Sequence, residues 1–306
     1  MTTRTKLLIC ALVLAGAGGV LVARTAQALP TVQSLYSRIV ADPGASLEAG
    51  VAYGPHARHV LDVYRPRSSR DAEDQDGPIA IFIYGGGWRR GERSTYGFVG
   101  AALAARGITA VIPDYRLYPD VKFPAFVEDA ARAYAWTSAT LASGAGKRRP
   151  IFLIGHSAGA HTAALLALDP RYLAAAEVSN EPAGLIGLAG PYAFDPTTYP
   201  STKEIFAPAV GSQDARPVAF AGARSPPALL MHGLKDETVQ LSNMRELAAA
   251  LQTFGAPVRK LELADIGHAG LVLAISRPLR WRAPVLSEIE AFIRSVAGGI
   301  AHKPRA

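Results

Sequence analysis

Continuous apolar runs alternate along this chain with stretches in which apolar residues recur every three or four positions. Ile79 to Tyr84, Thr109 to Ile112, Ile151 to Ile154, Leu185 to Leu188 and Ala228 to Met231 have the length and continuity of buried strands. Val51 to Tyr53, His59 to Tyr64 and, last in the chain, Val258 to Leu263 predict further strands. Phe98 to Arg106, Phe123 to Leu141, Ala158 to Leu168 and Ser242 to Thr253 read as helices. Val285, Leu286, Ile289, Phe292, Ile293 and Val296 mark one face of a C-terminal helix. Strand-helix alternation of this kind predicts an α/β fold, a mostly parallel central sheet of about eight strands with helices on both faces. A charged connection (Arg67 to Gly77) and a Pro-rich irregular stretch (Pro191 to Pro227) interrupt the alternation. No internal repeat and no second domain is visible.

The N-terminus breaks the pattern. Arg4 and Lys6 precede an apolar stretch from Leu7 to Val22, and Ala26-Gln27-Ala28 offers a small-x-small cleavage site. Residues 1–28 therefore read as a signal peptide cut after Ala28, with an uncleaved anchor as the alternative, since the apolar run is only just too short to span comfortably. Gly16, Gly18 and Gly19 favour removal. On this reading residues 29–300 form one domain and 301–306 a flexible tail. The location is periplasmic or secreted, with no stable membrane insertion unless the segment is retained as an anchor. Oligomeric state is left open.

Composition narrows the chemistry. A chain of 306 residues, 49% of them hydrophobic, can bury one large core. The only cysteine, Cys10, lies in the N-terminal segment, which excludes disulfides, thiolate metal sites and cysteine nucleophiles from the rest. The formal charge of +7 falls to +4 when Arg4, Lys6 and Arg24 are removed, because residues 1–28 contain no acid. The remaining excess is scattered. Lys147-Arg148-Arg149, the one tight basic cluster, sits in a Gly-rich loop and reads as a solvated turn, not a nucleic-acid contact.

Gly155-His156-Ser157-Ala158-Gly159 joins an apolar strand to an Ala- and Leu-rich helix. A G-x-S-x-G in that setting is a nucleophile elbow, a turn so sharp that the serine backbone is strained and its hydroxyl stands clear of the sheet. Each glycine is expected where a Cβ would strike a neighbouring strand or helix.

A serine nucleophile needs a base, an acid and an oxyanion site. The chain order Ser, acid, His points to Asp236, after the strand Ala228 to Met231, and to His268, in the glycine-flanked loop after the last strand. Asp236 would fix the imidazole tautomer, and His268 would take and return the serine proton. Asp265 and Glu237 are rival acids; Asp265 is too close to His268 in sequence to fit the order. His156, at the variable elbow position, is expected to pack beside the site and touch substrate. His161 reads as an inward core residue and His232 as a backbone support. His56 and His59, without carboxylate or thiolate companions, read as surface residues and not as metal ligands. Tyr84-Gly85-Gly86-Gly87-Trp88 follows a buried strand, where glycine loops turn amides toward a developing oxyanion. Gly86, Gly87 and Ala158 are the candidate donors. No metal site and no cofactor is indicated.

Taken together these motifs resemble the α/β-hydrolase superfamily, in particular its carboxylesterase branch near hormone-sensitive-lipase-like and bacterial feruloyl-esterase-like enzymes. Tyr84 to Trp88 with Arg90-Gly91-Glu92 resembles HGGGW…GD. Asp114 to Pro119 resembles DYRL-x-P, and Phe123-Pro124-Ala125 with Glu128-Asp129-Ala130 resembles FPA…EDA. Gly155 to His161 reads GxSAGAH, a form also found in prenylcysteine methylesterase-like members, and Gly267-His268 resembles the GH base. The similarity runs from about Val51 to Ile293. Tyr84 departs from the usual histidine, which braces the loop, and its hydroxyl could do the same. Asp114 and Arg116 are expected to form a structural pair or network under the site.

The resemblance implies a serine hydrolase acting on a small-molecule ester, with a short acyl or small aryl group. Trp88, the Pro191–Pro227 stretch and Ala269, Leu271 and Val272 would form the pocket. That stretch is too short for a large lid domain, which argues against interfacial lipase action. Arylformamide hydrolysis is the nearest alternative. A peptidase would share the triad, but no companion domain is visible. A binding protein on a hydrolase scaffold would be expected to lack a triad member, and none is missing here.

Overall fold

The computed structural model describes residues 41–67, 77–143 and 148–301. The N-terminal segment, residues 302–306 of the tail and most of the Arg67–Gly77 connection lie outside the described residues, while Ala301 closes the last helix. So does Lys147. Among the described residues no helix is long and apolar enough to cross a membrane.

Eight strands form one sheet: β1 (Ala45–Ala52), β2 (Val60–Pro66), β3 (Ile79–Ile83), β4 (Thr109–Pro113), β5 (Ile151–His156), β6 (Gly184–Leu188), β7 (Ala228–Gly233) and β8 (Val258–Leu263). Their order is β1-β2-β4-β3-β5-β6-β7-β8. β2 runs antiparallel to β1 and β4; every other pairing is parallel. The helices are α1 (Gly97–Ala104), α2 (Ala125–Thr140), α3 (Ala158–Leu168), α4 (Pro170–Ala175), α5 (Ser242–Thr253), α6 (His268–Leu273) and α7 (Val285–Ala301). β3, β4, β5 and β6 are buried at every position, which requires cover on both faces. α1 packs against α7, while α2, α3 and α4 pack together as a second group.

α3, α5 and β8 fall where their apolar patterns place them. β1 begins at Ala45, ahead of the Val51 start read from sequence. It is an exposed edge strand without an apolar period, and its first half gave no signal. α2 starts at Ala125, with Pro124 as its N-cap, because the residue before a proline is disfavoured in a helix. α4 and α6 were not foreseen. α4 carries a readable start signal, since the Asp169 side chain accepts from the Arg171 amide and Pro170 opens the helix. Arg149 is no solvated turn residue: it donates to the Gly77 carbonyl at 2.6 Å and to Thr109 Oγ1 at 2.7 Å.

Parallel strands point one way, so the loops leaving β3, β5, β7 and β8 gather at one end of the sheet. This carboxyl end is where open α/β sheets build their sites.

Candidate active site

The turn from β5 into α3 places Ser157 at φ 56 and ψ −124, a region that L-residues seldom occupy and that costs about 1–3 kcal/mol. The surroundings over-determine it. The Ser157 amide donates to the Leu188 carbonyl at 2.9 Å, and its carbonyl accepts from Ala160 at 2.9 Å and His161 at 3.1 Å. A Cβ on Gly155 would overlap Gly159 and Ala160 of α3, and one on Gly159 would overlap the carbonyls of Ile83, at the end of β3, and Tyr84, just after it. The two glycines thus let strand and helix close on the serine from opposite sides.

His268 is the first residue of α6. Its Nε2 lies 2.8 Å from Ser157 Oγ, and its Nδ1 lies 2.8 Å from Asp236 Oδ2. A carboxylate only accepts, so Nδ1 carries the proton and Nε2 is left to accept from the serine hydroxyl. Asp236 Oδ1 accepts from the amides of Thr238 and Val239, each at 2.9 Å. Burial pulls the Asp236 carboxyl upward. The His268 hydrogen bond and the Val239 and Thr238 amides outweigh it and hold the group below the ordinary carboxylate range. The three side chains, from positions 157, 236 and 268, therefore form one hydrogen-bonded line.

The rival acids lie elsewhere. Asp265 is exposed and paired with Lys235 Nζ at 2.8 Å, and Glu237 faces solvent. His232 is wholly buried. It donates to the Val239 carbonyl at 2.9 Å with Nε2 3.4 Å from Asp236 Oδ2, which braces the loop that carries the acid. Burial lowers its pKa.

The glycine loop lies against the elbow. An ideal Cβ on Gly85 would come within 2.9 Å of Ser157 Cβ and of the His156 carbonyl oxygen. Gly86 takes φ +134, and a side chain there would run into the Arg90 carbonyl. Among the described residues the amides of Gly86, Gly87 and Ala158 donate to no protein acceptor; Ala158, as the first residue of α3, has none within its helix.

Tyr84 holds this loop from below. Its buried ring stacks between Tyr96 (5.3 Å between centroids) and Tyr115 (4.8 Å), and its hydroxyl donates to Asp114 Oδ1 at 2.7 Å. Burial, then Tyr115 and Asp114, push its pKa far up, so the hydroxyl remains a donor. Arg58 Nη2 donates to the same hydroxyl at 2.9 Å and to the Gly91 carbonyl at 2.8 Å. Asp114 and Arg116, expected to form a structural pair or network, are held in side-chain networks that are separate from each other. Asp114 Oδ2 meets Arg93 Nη1 at 2.6 Å, and Arg116 Nη2 meets Asp129 Oδ1 at 2.7 Å. His59, expected at the surface, is buried with its Nε2 2.9 Å from Asp129. That partner is distant in sequence and left no trace in the pattern.

The residues expected to touch substrate separate. Trp88 is 3% exposed and packs in an aromatic cluster, edge-on to Phe206 at 4.8 Å and to His161 at 5.2 Å. It is a buried prop for the loop, with little surface to offer a ligand. His161 donates from Nε2 to the Ala215 carbonyl at 2.8 Å. His156 is 6% exposed and contacts His268. Burial above all lowers the pKa of both His156 and His161 to about 4. Ala269 is exposed on α6, whereas Leu271 and Val272 are buried beneath it.

A cavity of about 630 Å³ lies well away from this line. It is bounded by Leu166, Leu168, Leu173, Phe220 and Pro226, where β6 and β7 begin, at the opposite end of the sheet from Ser157. Among the described residues no group of three or more His, Cys, Asp or Glu side chains is placed to hold a metal.

Comparison with known proteins follows the same lines. A BD-FAE family model matches residues 61–180, and the prolyl oligopeptidase family model matches residues 127–298, more than half of the chain. Esterase LipC of Mycobacterium tuberculosis is 29% identical over 276 residues, which cover 84% of this chain and 66% of the relative. Isoprenylcysteine alpha-carbonyl methylesterase ICME of Arabidopsis thaliana is 28% identical over 253 residues, 75% of this chain and 58% of the relative. The chain thus spans less than two thirds of the length of these curated relatives. The crystal structure of esterase B from Lactobacillus rhamnosis with a tributyrin phosphonate superposes with a TM-score of 0.71 at 17% identity, covering 96% of each chain. At that identity the match establishes the α/β-hydrolase fold.

Proposed function

Because the chain belongs to the prolyl oligopeptidase family of α/β-hydrolases, on their carboxylesterase branch, we propose that it is a serine hydrolase of small carboxylic esters. Family membership alone does not choose among substrates. The observation that carries the reading is the line from Ser157 Oγ through His268 to Asp236, with both hydrogen bonds at 2.8 Å.

Ser157 Oγ attacks the ester carbonyl while His268 Nε2 takes its proton. The carbonyl oxygen becomes an oxyanion held by the amides of Gly86, Gly87 and Ala158, each such donor being worth about 10²–10³ in rate. Asp236 stabilises the imidazolium that forms. His268 then returns the proton to the departing alcohol, leaving an acyl-serine. A water molecule, deprotonated by the same imidazole, hydrolyses the acyl-serine and frees the acid. The Pro191–Pro227 stretch packs inward through Phe206 and is too short for a large lid domain, which favours short acyl or small aryl esters.

Substituting Ser157→Ala is expected to lower turnover of p-nitrophenyl acetate by about 10⁴-fold or more while the melting temperature holds. Retained turnover would put the nucleophile elsewhere.

A further inference from the structure

The residue before the nucleophile makes a contact that the ester-cleavage reading does not use. His156 Nε2 lies 3.1 Å from the main-chain oxygen of His268, and the two imidazoles stand 4.9 Å apart between centroids. A carbonyl oxygen only accepts, so Nε2 carries the proton and donates, and Nδ1 is a bare acceptor. That Nδ1 is buried with no partner among the described residues, and it lies 3.1 Å from where a Cβ on Gly85 would stand. Two consecutive residues therefore grip the same residue: Ser157 holds the His268 ring, and His156 holds its backbone.

His268 needs such a hold. It opens a helix of only six residues, and Gly267 and Gly270 flank it with little side-chain packing of their own. The edge strand β8 that leads to it is largely exposed. A base that must stay within hydrogen-bond reach of a strained serine gains from a tether to the rigid element carrying that serine. The tether also has to be uncharged, because a cation beside His268 would oppose the imidazolium formed during attack. Burial keeps His156 neutral down to about 4.

We propose that His156 is a positioning residue: its neutral Nε2–H ties the main chain of His268 to the nucleophile elbow and sets the base at its working distance from Ser157. This rests on the reading of Ser157, His268 and Asp236 as a catalytic triad, and it assigns His156 a role other than substrate contact.

The full chain carrying His156→Gln, His156→Leu or His156→Phe tests it. Gln offers an N–H close to the imidazole Nε2 position; Leu and Phe fill the space without one. On p-nitrophenyl butyrate, H156L and H156F are expected to lose about 10–100-fold in kcat with little change in KM, and H156Q to stay near wild type. The low-field proton resonance of His268 Nδ1–H should broaden in H156L and H156F and stay sharp in H156Q. Wild-type kcat and a sharp resonance in H156L would overturn the proposal, as would an H156Q as slow as H156L. If H156L and H156F fail to fold, His156→Ala takes their place with the same two readings. A wild-type protein that turns over no ester and takes no fluorophosphonate on Ser157 would defeat the ester-hydrolase reading; the resonance comparison would still decide the tether.

Discussion

On the nucleophile side β3, β5 and β6 are buried at every position, whereas β8, which leads to His268, is an edge strand with Arg259, Lys260 and Glu262 exposed. Ser157 is fixed by backbone bonds on both sides and by two glycines that admit no Cβ. Asp236, on a loop, and His268, at the start of α6, are fixed by a handful of side-chain hydrogen bonds. Strain is stored where packing can hold it, and the proposed proton relay rests on side-chain hydrogen bonds. Substitutions that crowd the buried backbone of the first half should therefore fail by unfolding, and those that remove a side-chain partner in the second by losing rate.

Asp236→Asn gives the largest effect expected from the second half. Removing the carboxylate charge releases the required His268 tautomer, and kcat should fall by about 10⁴-fold with a much smaller change in melting temperature. A variant that unfolds in proportion to its lost activity would erase the contrast. A matched glycine pair tests the same contrast by stability. Gly159→Ala drives a methyl into the β3 carbonyls and should cost about 3 kcal/mol or more. Gly270→Ala on α6 meets only the Ile266 side chain, at 3.5 Å and 3.9 Å, and sits in a helix, so thermal unfolding should register little change. Equal losses in the two variants would show that the halves are packed alike.

A smaller effect comes from pH. His156 and His161, on the nucleophile side, have folded pKa values of about 4, below their unfolded values, chiefly because they are buried. The unfolded chain then binds more protons between about 6.5 and 4, so stability is fully present above that window and falls as pH drops through it. His232, on the acid side, contributes in the same sense. Asp236, also depressed, gives up its contribution only at lower pH, as its own carboxyl protonates. Each of the first two histidines should cost about 2 kcal/mol at pH 5, read from urea unfolding at pH 5 against pH 7. His161→Gln, which keeps a donor for the Ala215 carbonyl, should shrink that difference; an unchanged difference would mean that His161 does not carry it.

Much of the site was legible because its chemistry is written locally. The elbow pentapeptide sits between a strand and a helix that both announce themselves by apolar pattern, and α3 runs over the residues expected of it. The order Ser157, Asp236, His268 could be read because each follows a strand. What the sequence hid was tertiary. The burial of Trp88 depends on Phe206, from a stretch with no periodic signal, and that of His59 on Asp129. α6 is too short to show a helical period, so His268 read as a loop residue. The contact from His156 to the His268 carbonyl joins a side chain to a main chain far along the sequence, and no residue pattern encodes it.

Trp88 follows Gly87 without an intervening residue, and Phe206 presses on its ring from the Pro191–Pro227 stretch. A loop exchange between relatives aimed at new selectivity would for that reason carry a mechanical side effect. On the proposed reading of Gly86 and Gly87 as oxyanion donors, the transplanted segment, through one indole, also reseats the glycine loop. Exchanges that retain Phe206, and with it Ile205, whose carbonyl holds the Phe123 amide at 2.9 Å, should leave the seat of the glycine loop undisturbed.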